Sequence, residues 1–125
     1  MKKIRCARVG FKSGNILIAS LLNLLLEEPS YGYSLVEKLQ SLGIDQSSVP
    51  YGVIYRLLRD MESENLIESE WEIEDSGPSR RVYSITKEGK EYLERWLNNA
   101  KGNLKILENL ISNIEKALQK EKGGK

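Results

Sequence analysis

Residues 47–67 read SSVPYGVIYRLLRDMESENLI, and this stretch decides the fold. It predicts one helix. Ser47 or Ser48 is placed to cap its start with a hydroxyl, and Pro50 suits the first turn, where a backbone N–H has no helical partner anyway. Ile54, Leu57, Leu58 and Met61 recur at i, i+3, i+4 and i+7, which draws one apolar stripe along the helix. Gly52, Arg56, Arg59 and Ser63 fall on the opposite face, with Tyr51 and Tyr55 on its shoulder. An apolar back and a front of glycine, arginine and phenol suit a helix that lies on DNA. Guanidinium forks onto guanine or phosphate, and a phenol donates to phosphate. A missing side chain at Gly52 lets the backbone approach a surface closely. The plainer reading is a solvated face with two ordinary arginines, and the neighbouring segments decide between the two.

Upstream, Ser30 is placed to cap a helix over about 31–42, with Tyr33, Val36, Leu39 and Leu42 as its inner face and Gly43 as its C-terminal cap. A polar turn, Asp45-Gln46-Ser47-Ser48, joins it to the 47–67 stretch. The order is helix, turn, helix, with the basic front on the second helix. Before this pair, Asn15 is placed to cap a first helix over about 16–28 that is apolar nearly all round. Such a helix is buried, in part against a second subunit. Pro29 stops it.

Downstream, Asn65 marks a left-handed end and the period changes to two. Ile67, Ser69, Trp71 and Ile73 alternate with Glu68, Glu70, Glu72 and Glu74, which predicts a half-buried strand with an acidic outer face. Asp75 to Ser79 is turn chemistry, and Arg80 to Ile85 reads as the returning strand. The four glutamates repel phosphate, so the arginines near the tip, Arg80 and Arg81, are the part of this wing expected to touch DNA.

Thr86 is placed to cap the last helix, with Glu88 near its positive end. Leu93, Leu97, Ala100, Leu104, Leu107, Ile111, Ile114 and Leu118 then follow in alternating steps of four and three. That is a heptad seam, expected to pair with a second copy. Gly102 falls at an outer position of the heptad. Trp96 stands beside the seam, as a flanking contact or as the wall of a cavity.

The boundaries read from sequence are therefore a basic arm over 1–14, a winged domain over 15–86, a dimerisation helix over 87–122 and a tail over 123–125. The chain is 125 residues long and carries a net charge of +1. Residues 1–13 hold Lys2, Lys3, Arg5, Arg8 and Lys12 without an acid, which leaves −4 on the remaining 112. Nucleic-acid affinity has to come from local patches. One cysteine, Cys6, and no histidine exclude an intramolecular disulfide, a Cys/His zinc cluster and a histidine-based triad. No paired acids suggest a carboxylate mechanism, so an enzyme is not expected, nor a cofactor or metal. The basic start followed by Ile16 to Leu26 has the outline of a signal peptide. However, Glu27-Glu28-Pro29 follows in place of a small-x-small cleavage site, and the run is short of the roughly 20 residues that span a bilayer. A cytoplasmic protein is expected.

Four segments carry a family resemblance. Tyr31-Gly32-Tyr33-Ser34-Leu35, Gly52-Val53-Ile54-Tyr55-Arg56-Leu57-Leu58, Leu66-Ile67-Glu68-Ser69-Glu70-Trp71 and Gly77-Pro78-Ser79-Arg80-Arg81-Val82-Tyr83-Ser84-Ile85-Thr86-Lys87-Glu88-Gly89 stand in order and at matching spacing. Together they resemble the PadR family of winged-helix transcriptional regulators over about residues 16–118. The resemblance implies a mainly α fold with a small two-stranded β-wing, a winged helix-turn-helix and a long C-terminal dimerisation helix. It implies a homodimeric DNA-binding regulator, a repressor, with the recognition helix in the major groove and the wing on the backbone or minor groove. Tyr55 would contact phosphate or brace the helix, and Arg80 or Arg81 would serve the wing. Asn65 departs from the glycine that the family commonly has there. The Pro50-Tyr51 pair makes a bulkier helix start than usual. Some relatives bind flat aromatic ligands between the dimer helices, which makes a small aromatic compound a further partner to consider, with Trp96 at its site.

The residues expected to meet double-stranded DNA are Ser48, Tyr51, Gly52, Tyr55, Arg56, Arg59, Arg80 and Arg81. Two other functions fit the sequence less well. One is a winged-helix module that docks proteins, suggested by the acidic strand. The other is a dimeric sensor of small aromatic ligands.

Overall fold

The computed structural model describes residues 13–44, 50–72 and 80–123. In chain order the elements are α1 (Ser13–Glu27), β1 (Ser30–Tyr31), α2 (Gly32–Ser41), α3 (Tyr51–Ser63), β2 (Ile67–Glu72), β3 (Arg80–Ile85) and α4 (Lys87–Gly123). The architecture is mainly helical, with a small antiparallel sheet of strand order β1-β3-β2. The described residues form two compact units that divide between Leu93 and Glu94.

The apolar run of α1 makes the centre of the first unit. Leu17, Ile18, Leu21, Leu22, Leu24 and Leu25 are all buried there, and α1 packs on α2 and β3. Ile16 and Leu26 stay exposed at its two ends. The helix begins at Ser13, so Asn15 lies within it and not ahead of it as its cap. The stripe foreseen on α3 is fully inward: Ile54, Leu57, Leu58 and Met61 are each 0 % exposed. That burial, and not intrinsic propensity, is what holds a 13-residue helix in place.

Three local expectations are corrected. Ser30 does not cap α2. It belongs to β1, is buried, and donates its hydroxyl to the Glu28 carbonyl at 3.2 Å while accepting from Lys38 Nζ at 3.0 Å. The inner face of α2 is Gly32, Leu35, Val36 and Leu39, with Tyr33 and Leu42 exposed. Helix α3 starts at Tyr51 with Pro50 as the preceding cap residue and no side-chain capping bond. Ser48 and the rest of 45–49 lie outside the described residues, as do the arm through Lys12 and the hairpin turn 73–79.

Helices α2 and α3 end the same way. Gly43 (φ 88°) and Asn65 (φ 64°) take left-handed backbone, which glycine adopts freely and asparagine tolerates. Ile44 N–H donates to the Leu39 carbonyl and Gly43 N–H to that of Gln40. Likewise Leu66 N–H reaches the Met61 carbonyl and Asn65 N–H that of Glu62. Both are Schellman ends, which satisfy otherwise orphaned carbonyls.

The sheet departs from the two-stranded expectation. The dipeptide Ser30-Tyr31 adds a third strand, pairing with Tyr83 and Val82 of β3. The β2–β3 register sets Ile67 against Ile85, Ser69 against Tyr83, Trp71 against Arg81 and Glu72 against Arg80. The alternation in β2 holds at its base, where Ile67 is buried, and fails further out, where Trp71 is 60 % exposed. Thr86 caps α4 as expected. Its hydroxyl accepts the Gly89 N–H at 2.9 Å and donates to the Asn65 carbonyl at 2.7 Å, which ties the start of α4 to the end of α3. Helix α4 has 37 residues, roughly 55 Å at 1.5 Å per residue. No helix among the described residues is long and apolar enough to cross a membrane.

Candidate nucleic-acid interface

Helix α3 presents Tyr51, Gly52, Arg56 and Arg59 to solvent, as its periodicity requires once the stripe is buried. Gly52 is distinct from the fold's packing glycines. A Cβ built on it meets nothing within 4 Å, whereas one on Gly32 would lie 2.7 Å from Tyr55 Cε1 and one on Gly89 2.2 Å from the Leu66 carbonyl oxygen. Packing among the described residues does not explain the glycine at 52.

Tyr55 is half-buried and packs against the core cluster, its ring over Gly32. Burial pushes its phenol above the usual value of 10.0, with the nearby phenols of Tyr83, Tyr51 and Tyr33 adding to the effect. It therefore keeps its proton at neutral pH and is a hydrogen-bond donor.

The two wing arginines were read as equivalent, and the structure separates them. Adjacent strand residues point to opposite faces of a sheet. Arg80 lies 5.4 Å from the centroid of the Tyr31 ring and donates to the Tyr33 hydroxyl at 3.2 Å. The Tyr31 and Tyr33 rings stack at 5.5 Å with an interplanar angle of 11°, and the Tyr31 hydroxyl donates to Glu72. Arg81 instead lies over Trp71, 4.9 Å from the ring centroid. Its Nε is buried and has no hydrogen-bond partner among the described residues. Tyr31, Tyr33, Tyr83 and Glu72 were not foreseen at this site. The Tyr-Gly-Tyr motif at 31–33 was the sequence signal for the first two, although Tyr33 reads as an inner residue of α2; Tyr83 and Glu72 reach the site only through the strand register.

These side chains enclose a groove of about 210 Å³ lined by Tyr31, Tyr33, Tyr55, Tyr83, Arg80 and Arg81, with Gly32 at the first turn of α2. A second hollow of about 330 Å³ also has Tyr31 in its wall, and there Lys38 pairs with Glu28 at 3.0 Å. No group of His, Cys, Asp or Glu among the described residues is arranged to hold a metal ion.

On α4, Leu93 packs against the core of its own unit. Ala100 and Trp96 are half-buried. Leu97, Leu104, Leu107, Ile111, Ile114 and Leu118 are exposed, and so are Ile106 and Leu110, which lie off the heptad seam. From Leu97 to Leu118 the seam thus presents an apolar face that stays exposed among the described residues.

Residues 21–95 match the family described as "Transcriptional regulator PadR-like family". A protein of Mycobacterium tuberculosis named "Probable transcriptional regulator" is 32 % identical over 79 residues, which is 62 % of this chain and 41 % of that protein. This chain thus spans well under half the length of that relative. Among solved structures, a PadR-like transcriptional regulator from Bacillus cereus is 32 % identical with a TM-score of 0.70, covering 82 % of this chain and 97 % of that one. A PadR family transcription regulator from Clostridium difficile is 27 % identical with a TM-score of 0.69, covering 76 % and 97 %. Bacillus subtilis PadR in complex with operator DNA is 25 % identical with a TM-score of 0.59, covering 66 % of this chain and 46 % of that one. The family is one of regulators and not of enzymes, in keeping with a sequence that offers no nucleophile–base pair. This chain belongs to the PadR-like family of transcriptional regulators.

Proposed function

We propose that the protein is a homodimeric, sequence-reading DNA-binding repressor. The observation that supports this most is the division of α3: four apolar residues wholly buried, and Gly52, Arg56 and Arg59 exposed on the far side, with no other described element within 4 Å of a Cβ built on Gly52. In this reading α3 enters the major groove. Arg56 and Arg59 meet base edges or phosphates, Tyr51 and Tyr55 set the register, and the wing arginines hold the backbone. The relative solved with operator DNA adds support. The apolar face of α4 from Leu97 to Leu118 pairs with a second copy, so the two α3 helices read half-sites of a roughly palindromic operator. A footprint on DNA upstream of the gene tests this. Protection should fall in two patches about one helical turn, 10–10.5 bp, or a multiple of it apart. Arg56→Ala should abolish both patches together. A single patch, or protection unaffected by Arg56→Ala, would overturn the reading.

A further inference from the structure

We propose that Val53 is a specificity-determining residue of α3, and that its methyl groups read the C5-methyl group of a thymine in the major groove. The proposal rests on the DNA-binding reading above and deepens it at one residue.

The sequence places Val53 off the buried stripe of its helix. Ile54, Leu57, Leu58 and Met61 take that stripe and are each 0 % exposed. At about 100° of rotation per residue, Val53 falls on the shoulder opposite Tyr51 and Tyr55, beside the front that carries Gly52, Arg56 and Arg59. It is 40 % exposed and takes no part in the core cluster, whereas Tyr55 on the other shoulder packs against that cluster. A single exposed valine is ordinary on a protein surface. This one stands in the first turn of α3, where its N–H donates to the Pro50 carbonyl at 3.0 Å. The N-terminal residues of a recognition helix are the ones that reach base edges.

The chemistry of the residue then fixes what it can read. Its side chain has no hydrogen-bond donor or acceptor, and the apolar group that base pairs present in the major groove is the C5-methyl of thymine. The side chain is also short, so it reaches a base only where the backbone comes close. Gly52, the residue before it, removes bulk at that point. Beyond its chain neighbours and the backbone of its own helix, no described residue comes within 4 Å of a Cβ built there. Branching at Cβ leaves valine one strongly preferred rotamer in a helix, so its methyl groups are fixed before DNA arrives and little side-chain entropy is lost on binding. Glycine and valine both rank below alanine as helix formers, so this pair weakens the first turn of α3. Arg56, three residues on, is a neighbour on the helix surface and is suited to guanine. Val53 adds a preference for thymine that a guanidinium does not supply.

The test uses the full chain and DNA from upstream of its gene, with each thymine of one half-site replaced singly by deoxyuridine. That change removes the C5-methyl group and keeps every hydrogen-bonding edge. Fluorescence anisotropy should find a position at which uracil weakens wild-type binding roughly fourfold, the worth of one buried methyl-sized group. At that position Val53→Ala should bind the thymine and uracil DNAs nearly alike, which closes a double-mutant cycle on the pair. Val53→Ala should also keep or raise the urea midpoint, because the site is exposed and alanine is the better helix former, so that lost discrimination is not lost fold. If uracil at no position weakens the wild type, or if it weakens Val53→Ala equally, the proposal is overturned and the DNA-binding reading stands. A wild type that binds its own upstream DNA no better than scrambled DNA overturns both.

Discussion

The ring of Tyr55 lies across Gly32 so closely that a methyl group on that glycine would stand 2.7 Å from Cε1. This contact joins the two helices of the helix-turn-helix, α2 and α3, at the edge of the candidate interface. Gly32→Ala should push the ring aside at a cost of about 1–3 kcal/mol, the usual range for overpacking. Tyr55→Ala removes the obstacle, so the double variant should recover part of that cost. Urea denaturation of the four proteins measures the coupling, and additive losses would show that the contact is not the cause.

Gly89 meets backbone where Gly32 meets a movable ring. A Cβ on Gly89 would sit 2.2 Å from the Leu66 carbonyl oxygen, the same carbonyl that accepts the Thr86 N–H at 3.1 Å. Neither group can yield without breaking the junction of α3, β2 and α4. Gly89→Ala should therefore cost more than Gly32→Ala, at about 3 kcal/mol or above. The midpoint of chemical denaturation, compared between the two variants, checks the order.

The pH dependence of stability has a sign set by Tyr55. Its pKa in the folded protein lies above 10.0 because burial disfavours the phenolate. A raised value means that the contribution is fully present below about pH 10 and is lost as pH rises through the folded value. Denaturation followed from pH 8 to 11 should show a steeper decline for the wild type than for Tyr55→Phe. Parallel curves would contradict the assignment.

Most of the fold was legible because burial obeys period. The i, i+3, i+4, i+7 stripe of α3 is buried at every position foreseen, and Gly43 and Asn65 take the left-handed backbone that their residue types suggested. What escaped reading depends on contacts between segments far apart in sequence. Ser30-Tyr31 is too short to announce a strand, and becomes one only because β3 offers it an edge. Tyr33 fits the inner period of α2 as well as Leu35 does, and its exposure follows from the stack on Tyr31 and the bond from Arg80. The alternation placed Trp71 on the inner face, but β2 there extends beyond the core and leaves the ring exposed, with the Arg81 guanidinium over it. Of the candidate site, the α3 face was readable from spacing. The groove beside it, built from α2, α3 and the wing, was not.

The exposed seam of α4 gives a test of assembly. Leu107 and Ile111 are 52 % and 48 % exposed in the single chain, and they belong to a continuous apolar stripe and not to singly scattered apolar residues. Pairing with a second copy would bury them as a and d positions. Leu107→Glu with Ile111→Glu should convert a dimer to a monomer in sedimentation equilibrium while leaving the far-UV spectrum of the first unit intact. Operator affinity should fall at least about a hundredfold once one half-site is read alone, since two linked heads gain roughly 10²–10⁴ in avidity.

The most direct measurement of the central claim compares Gly52→Ala and the wild type for affinity and stability together. Fluorescence anisotropy reads affinity on the DNA upstream of the gene and on a scrambled control, and urea denaturation reads stability. The wild type should prefer its own DNA by about a thousandfold or more. Because, beyond its chain neighbours and the backbone of its own helix, no described residue comes within 4 Å of a Cβ built there, Gly52→Ala should stabilise the helix by up to about 1 kcal/mol and yet weaken that preference at least tenfold. Equal binding of both DNAs by the wild type, or undiminished preference in Gly52→Ala, would contradict the account that this face of α3 reads DNA.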